Sequence, residues 1–567
     1  MAVGSGSSTR SPWVRKPLWA AANPNAVEGG PGDHLARHLT LFDLICVGVG
    51  ATVGSGIFVL CGLIADSYAG PATFISWAVA GTAACLSGLC YAELAGRFPS
   101  AGSSYAYAFI SMGELVAYIA GACLTLEYVF SASAVARSWG DKVIEYAKAN
   151  ISEEEDHPLL AFLEPGALVN PFAFIISTLA VALHLKGVRE SKSATNFFSL
   201  VKVALVIFMT VTSFFLLEPE NLTPLVPPEF GIGGIFRGAS TLFFGYIGYD
   251  EICCVAGEAI NPKKNLPRAV IASLAAVTVL YILAAIALTG MVPYEEISET
   301  SPFPNGFRYR GLEWASHLSA IGELVTLPLV VLVSIMAQPR LQYAMAQDGL
   351  LPPIFAALDA NGGLWWGTLI SGSFMVIIAT FIPFTYLNDL ISAGILIAFN
   401  MTDASVILLR NKRQGSNPYL LEKLLALFNF LAILSGILTS YWLHTFEGRF
   451  FAGAIALVLI SVGVRIHKKF DQDSDVYEKE GFRTPFVPFL PLLGATVNWY
   501  LIAHLSIFSL LLLGGYLLIA AASYFLYSSK HSVANTTGWR RSEGGETDEL
   551  EQYEMKNTTG AHSHKLI

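Results

Sequence analysis

Four ionisable residues stand inside long apolar runs, where a carboxylate or ammonium has little reason to be. Glu127 lies between the uncharged stretches Gly121–Leu126 and Tyr128–Ala136, and Lys202 is the only charge between Thr195 and Leu217. Asp250 and Glu251 are adjacent and follow the glycines of Phe244-Gly245-Tyr246-Ile247-Gly248-Tyr249. At bilayer depth an ionisable side chain costs at least about 2.5–3.5 kcal/mol, so such residues read as functional. For Glu127 the alternative is a structural partner for another buried polar group. Lys202 could instead extend its ammonium to the nearby interface.

The glycines add a second chemistry. Gly48-Val49-Gly50-Ala51-Thr52-Val53-Gly54-Ser55-Gly56 places four glycines in nine residues, each worth about 1 kcal/mol against a helix interior. The stretch around Gly245 and Gly248 repeats the peculiarity five spans later, an odd offset that reverses direction across the bilayer. Gly-interrupted spans in corresponding positions point to inverted repeats with a binding site at the midplane. Unwinding a helix frees N–H and C=O groups that lipid cannot satisfy, so they must face a cavity. Freed N–H groups suit a carboxylate and freed carbonyls an ammonium; an amino acid carries both. Tight helix packing through small residues is the competing explanation for either cluster alone. A dinucleotide-binding reading of Gly48-x-Gly50-x-x-x-Gly54 fails on spacing and on the absence of a preceding strand.

The elements that position these residues are apolar helices. The chain has 567 residues, 54% apolar and only 14% charged, where a soluble domain carries about 25% charge. Apolar runs predict about 14 spans near 41–63, 72–96, 105–136, 171–185, 195–217, 237–258, 269–291, 318–345, 365–383, 389–409, 424–443, 450–466, 486–505 and 507–527. About 20 such residues cross the hydrocarbon core. Loops after even-numbered spans are basic (Arg97; Lys186, Arg189, Lys192; Lys263, Lys264, Arg268; Arg410, Lys412, Arg413), whereas alternate loops are mostly acidic, as at Glu153–Asp156. The positive-inside rule then puts both termini in the cytosol, with Lys142, Lys148, Arg308 and Arg310 as exceptions. Sequons at Asn150 and Asn221 fall on the outer side. The first 38 residues lack the apolar core of a signal peptide, and the polar tail from Ser528 reads as disordered.

Other classes are disfavoured. All seven cysteines fall within predicted spans, against a disulfide framework or zinc site. There is no HExxH, no GxSxG and no intramembrane His/Asp cluster, so neither a catalytic residue, a metal nor a cofactor is expected, and the chain does not read as an enzyme. A net charge of −9 gives no nucleic-acid partner. A nutrient sensor would need its cytosolic tail to signal, and Ser528–Ile567 contains no recognisable domain.

Several longer motifs stand out: Tyr91-Ala92-Glu93-Leu94 with Phe98-Pro99-x-x-Gly102-x-x-Tyr105-x-Tyr107, Leu126-Glu127-Tyr128, Glu258-Ala259-Ile260-Asn261-Pro262-Lys263-Lys264-Asn265-Leu266-Pro267-Arg268, and Gln338-x-Arg340-x-x-Tyr343-x-Met345-Ala346-x-Asp348-Gly349-Leu350-Leu351-Pro352. Together they resemble those of the plant-type cationic amino acid transporters, within the amino acid–polyamine–organocation superfamily. The resemblance covers roughly residues 35–525. It implies an all-α polytopic membrane protein with a leucine-transporter-like core of five plus five helices in inverted repeat. The expected organisation is a cytosolic tail over 1–38, the core over 39–410, four additional helices over 411–527 and a second cytosolic tail over 528–567. Gln347 departs from the family, which often has Arg there.

The resemblance further implies secondary transport by alternating access, driven by protons, with arginine and lysine as substrates. Its substrate site would comprise Thr52, Val53, Gly54, Ser55, Gly56, Glu127, Phe244, Gly245, Tyr246, Ile247 and Asp250. Glu127 would meet the distal cationic group, and Phe244 and Tyr246 would close the cavity as aromatic gates or serve in packing. Lys202 matches a family lysine whose ammonium replaces a sodium ion between spans one and eight, and it would carry the coupling proton. Glu258 and the pair Glu93–Arg97 read as structural. The alternative is a broad or neutral amino acid carrier of the same fold, or a carrier that also senses. Plasma membrane, vacuole and other endomembranes all remain open, and the sequence carries no sign of oligomeric state.

Overall fold

The computed structural model describes residues 11–18, 20, 38–99, 102–150, 168–186, 192–359, 363–411, 419–442, 446–470 and 481–539. The acidic loop Glu153–Asp156, most of the first sequon, Arg189, Lys412, Arg413 and the tail beyond 539 lie outside them. Among the described residues the chain is all-helical, with nine segments long and apolar enough to cross a membrane and three shorter apolar helices. The first segment, Leu41–Arg97, is two spans in sequence, turned at Gly70 (φ 54°) and Pro71. The sixth span, from Gly231 to Glu258, is a chain of short pieces. Helix therefore stands at every one of the expected positions.

The boundaries differ most at the third span, expected over 105–136. The expected third span began at 105, but Ser103–Ser111 is a separate helix and the span proper runs from Glu114 to Asn150. The hydrophobic run hides the corner. Gly113 makes it, at φ 111°, with the backbone of Trp13 so close that a Cβ would lie 2.9 Å from the Trp13 carbonyl oxygen. A side chain at that φ is strained whatever the space.

Helix packing sorts the first nine spans into two groups. Span seven (Pro262–Met291) lies along span two (Thr73–Arg97) and span one, and the first half of span six (Gly231–Leu242) also packs on span two. Span three packs on span four (Pro171–Leu185) and span eight (Glu313–Gln347), and span nine (Trp365–Phe381) on span four. Span five (Lys192–Phe215) bridges the groups through spans one, seven and eight. Span ten (Phe384–Arg410) touches spans two and three and the span at Phe489–Ala503. Beyond it, Leu420–Trp442 packs on Phe446–Lys469 and on Phe489–Ala503, and Ile507–Ser523 returns to spans three and ten.

Two ion pairs stand at the end of the bundle where Ser11–Leu18 and Ser528–Trp539 lie. Glu93 on span two receives Arg410 Nε at 2.9 Å, a second Arg410 nitrogen, Arg97 at 3.0 Å and the Thr484 amide at 2.7 Å, which bears out its structural reading. The termini meet there as well. Lys16 pairs with Asp348 at 2.8 Å, Tyr105 donates to the same carboxylate at 2.8 Å, and Asn535 accepts from the Ser11 amide at 3.1 Å. Glu114 takes Tyr524 at 2.9 Å and the Ser532 hydroxyl. The expectation of disorder from Ser528 therefore does not hold for Ser528–Trp539, because these residues supply hydrogen bonds that Glu114 and Asp348 need when buried.

Candidate functional site

Span one begins under a capping box, in which Thr40 and Asp43 satisfy each other's backbone amides. Its helix stops at Thr52, because Val53 turns to extended backbone (φ −75°, ψ 97°), and a second, wider helical turn starts at Gly56. Three carbonyls at the end of the first half are engaged. Gly48 accepts the Thr52 hydroxyl at 2.8 Å, Gly50 accepts the Lys202 ammonium, and Thr52 accepts the Tyr281 hydroxyl at 2.9 Å. The Ser55 hydroxyl is buried without a partner.

Span six breaks in kind. Its first half ends in a tight turn over Phe243–Tyr246, Ile247 is extended (φ −66°, ψ 146°), and a short helix resumes at Glu251. The two breaks meet backbone to backbone. A Cβ on Gly56 would stand 2.5 Å from the Gly245 Cα, and one on Gly248 would stand 2.8 Å from the Ala51 carbonyl carbon. Further along, Ile64 touches Gly238 and Tyr68 touches Gly234, while Leu39 bonds with Ala259's neighbours at the other end. As span one advances its partners in span six recede, so the two broken spans run antiparallel with their breaks level.

Glu127 reaches this junction from span three. It sits on a widened turn, Leu126–Phe130, inside an otherwise α-helical span, a local geometry frequent at functional sites. It is 1% exposed, and neither carboxylate oxygen has a hydrogen-bond partner among the described residues. Its carboxyl faces that of Asp250, with the Gly248 amide beside it. Asp250 is itself fully buried; one oxygen accepts from Tyr128 at 3.1 Å and the other has no partner. Two facing carboxylates out of water cannot both stay ionised without a counter-charge. The site therefore suits a cation, or a shared proton. Tyr91 and Tyr249 stand near both carboxylates and pack with Tyr107 and Phe399, with ring centroids 5.1–6.1 Å apart.

The expected site residues thus divide. Thr52, Val53, Gly54, Ser55, Gly56, Gly245, Ile247, Asp250 and Glu127 gather at or beside the meeting of the breaks. Tyr246 turns aside, donating to the Trp77 carbonyl at 2.9 Å and stacking among Trp77 and Tyr281, and Phe244 packs on Phe384 of span ten. Lys202 is tied to span one at Gly50. Tyr128, adjacent to Glu127 in the chain, was the partner of Asp250 that the motif contained but that spacing could not orient. At the end of the bundle that carries Asp348 and Asn535, a small pocket lies beneath the junction, lined by Glu251, Asp43, Glu258, His38 and Arg340 among others. Arg340 pairs with Glu258 there at 3.1 Å.

A family model described as amino acid permease matches residues 39–461, and a model of the permease C-terminus matches 482–532. The chain belongs to the amino acid permease family. This permease is 31% identical to a methylthioribose transporter of Bacillus subtilis, over 88% of its own length and 95% of that protein's. It is 29% identical to the vacuolar cationic amino acid transporter 4 of Arabidopsis thaliana, covering 89% and 94% of the two chains. Human cationic amino acid transporter 4 is 30% identical, with 88% of each chain covered. Among solved structures, a nucleobase-cation-symport-1 family transporter in a closed conformation aligns with a TM-score of 0.45 at 15% identity, over 80% of this chain and 97% of that one. The permease is a multi-pass membrane transporter.

Proposed function

We propose that this permease carries cationic amino acids, arginine and lysine, by alternating access, and that protons drive it. The observation behind the substrate choice is the Glu127 carboxylate, buried and without a hydrogen-bonding partner while facing Asp250. A guanidinium or ammonium entering between them supplies the missing counter-charge and hydrogen-bond donors. The substrate's own carboxylate and amine go to the level breaks, where a helix start offers N–H groups and a helix end offers carbonyls. Two separately packed groups of spans, with Glu127 of one reaching the breaks of the other, support alternating access. Lys202 supports the coupling role. Its ammonium donates to a carbonyl of span one, and loss of its proton would weaken that charge-assisted bond, so proton binding and the position of span one would be linked.

A second reading is a carrier of neutral substrates, in which the Glu127–Asp250 pair is neutralised by a proton alone. The relative named a methylthioribose transporter gives it weight. The termini would lie in the cytosol and the protein in an endomembrane or the plasma membrane. The deciding test is radiolabelled arginine uptake into proteoliposomes, with and without an inward proton gradient and with glutamine as competitor. Gradient-stimulated arginine uptake is expected. Glutamine uptake without arginine uptake would establish the second reading, and gradient-independent arginine uptake would remove the coupling role from Lys202.

A further inference from the structure

On the side away from the termini, Lys142 of span three is buried, with 3% of its side chain exposed. A lysine ammonium has three donors, and all three are used. Glu323 of span eight accepts at 2.7 Å, the Phe58 carbonyl at 2.9 Å and the Thr300 carbonyl at 2.6 Å. Glu323 is 1% exposed, so the pair is desolvated as well as close. Of its three acceptors, one belongs to the same packed group as Lys142. The other two do not: Phe58 lies in span one just beyond the break, and Thr300 lies in the loop that covers it. That loop is seated on the same half-span, since a Cβ on Gly62 would stand 2.3 Å from the Ser298 carbonyl oxygen. Glu145, one helical turn from Lys142, holds the loop by Thr300, Ser301 and Asn305 at 2.5–2.7 Å.

The geometry points to Lys142 as the far-side latch of the transport cycle, a positioning residue that holds the outer half of span one shut. This rests on the alternating-access reading above. Glu323 keeps the ammonium in place on spans three and eight, and the carbonyls of Phe58 and Thr300 are what it grips. Opening toward the far side parts those two bonds and leaves the Lys142–Glu323 pair intact. A buried pair that only braced spans three and eight would need neither carbonyl, and its loss would leave span one where it is.

The native Cys61 reports on this, because it is buried in the outer half of span one. In full-length protein reconstituted in lipid nanodiscs, with the other six cysteines replaced, the rate of Cys61 alkylation by a membrane-impermeant maleimide measures far-side opening. The double variant Lys142→Met/Glu323→Met removes the latch without stranding a buried charge. It is expected to react at least about tenfold faster, the factor that losing one charge-assisted hydrogen bond allows. An unchanged rate in a monodisperse double variant overturns the latch. Should that variant aggregate, Glu323→Gln decides the matter: a several-fold faster reaction supports the latch, and a rate equal to wild type overturns it. The assay needs no substrate. Faster alkylation in a protein that takes up no arginine would keep the latch and overturn only the substrate reading.

Discussion

The Lys202 ammonium donates to the Gly50 carbonyl, joining span five to the last turn of span one before its break. That bond ties a titratable group to span one, the element that the proposed alternating access would move. Lys202→Met is expected to abolish stimulation by a proton gradient while leaving arginine counterflow within about threefold of wild type. Counterflow and gradient-driven uptake in the same proteoliposome preparation check both halves of this prediction. Loss of counterflow in a folded variant would make Lys202 a structural tie.

Glu127→Gln keeps the shape of the side chain and removes its charge. Hydrogen bonds to charged groups are worth about 1.5–3 kcal/mol, so KM for arginine is expected to rise by at least about tenfold, with little change for a neutral substrate. Competition curves for arginine and glutamine measure the ratio. A proportional loss for both would assign Glu127 to packing rather than selectivity.

Gly56 and Gly245 approach too closely for any side chain between them. Gly56→Ala must push the two broken spans apart, and overpacking of this kind costs about 1–3 kcal/mol. The expected result is a lower melting temperature together with lost uptake. Substitution at Gly453, where a Cβ would meet nothing within 4 Å, should change neither.

Glu93 and Arg410 are buried and share two hydrogen bonds. Removing Arg410 leaves Glu93 with only Arg97 and the Thr484 amide, and breaking a buried pair costs up to about 3–5 kcal/mol. Arg410→Ala is therefore expected to lose most folded protein, as read by fluorescence-detected size exclusion. Normal yield would show that water reaches Glu93 in the variant.

Apolar runs and paired Gly clusters made the spans and both breaks legible in the sequence, because lipid forces helices to be long and punishes interruptions. The corner at Gly113 was not legible, since the hydrophobic run passes through it and only the backbone angle reveals the turn. Glu127 and Asp250 were each visible as charges in apolar surroundings, yet nothing in the spacing shows that their carboxyls face one another. Lys142 illustrates the limit most clearly. Read along the chain, it is an exception to the charge asymmetry that orients the protein. Read in space, it is neutralised by Glu323, a residue distant in sequence, and so carries little weight as a charge in an outer loop. Tyr246 shows the reverse: its motif suggests a gate, but its hydroxyl is committed to Trp77.

The junction of the two termini bears on how the molecule is made. The Ser11 amide donates to Asn535, 524 residues further along the chain, so the bond waits for all that lies between to be made. Glu114 and Asp348 likewise wait for Ser532 and Trp539. Every span can be threaded into the bilayer before these bonds exist, so insertion and completion are separate events. A chain cut short after span fourteen would hold all its membrane helices, with Asp348 keeping Lys16 and Tyr105 and Glu114 keeping Tyr524, yet it would lack the Ser532 and Trp539 hydrogen bonds, a chemical mark by which an unfinished copy differs from a finished one.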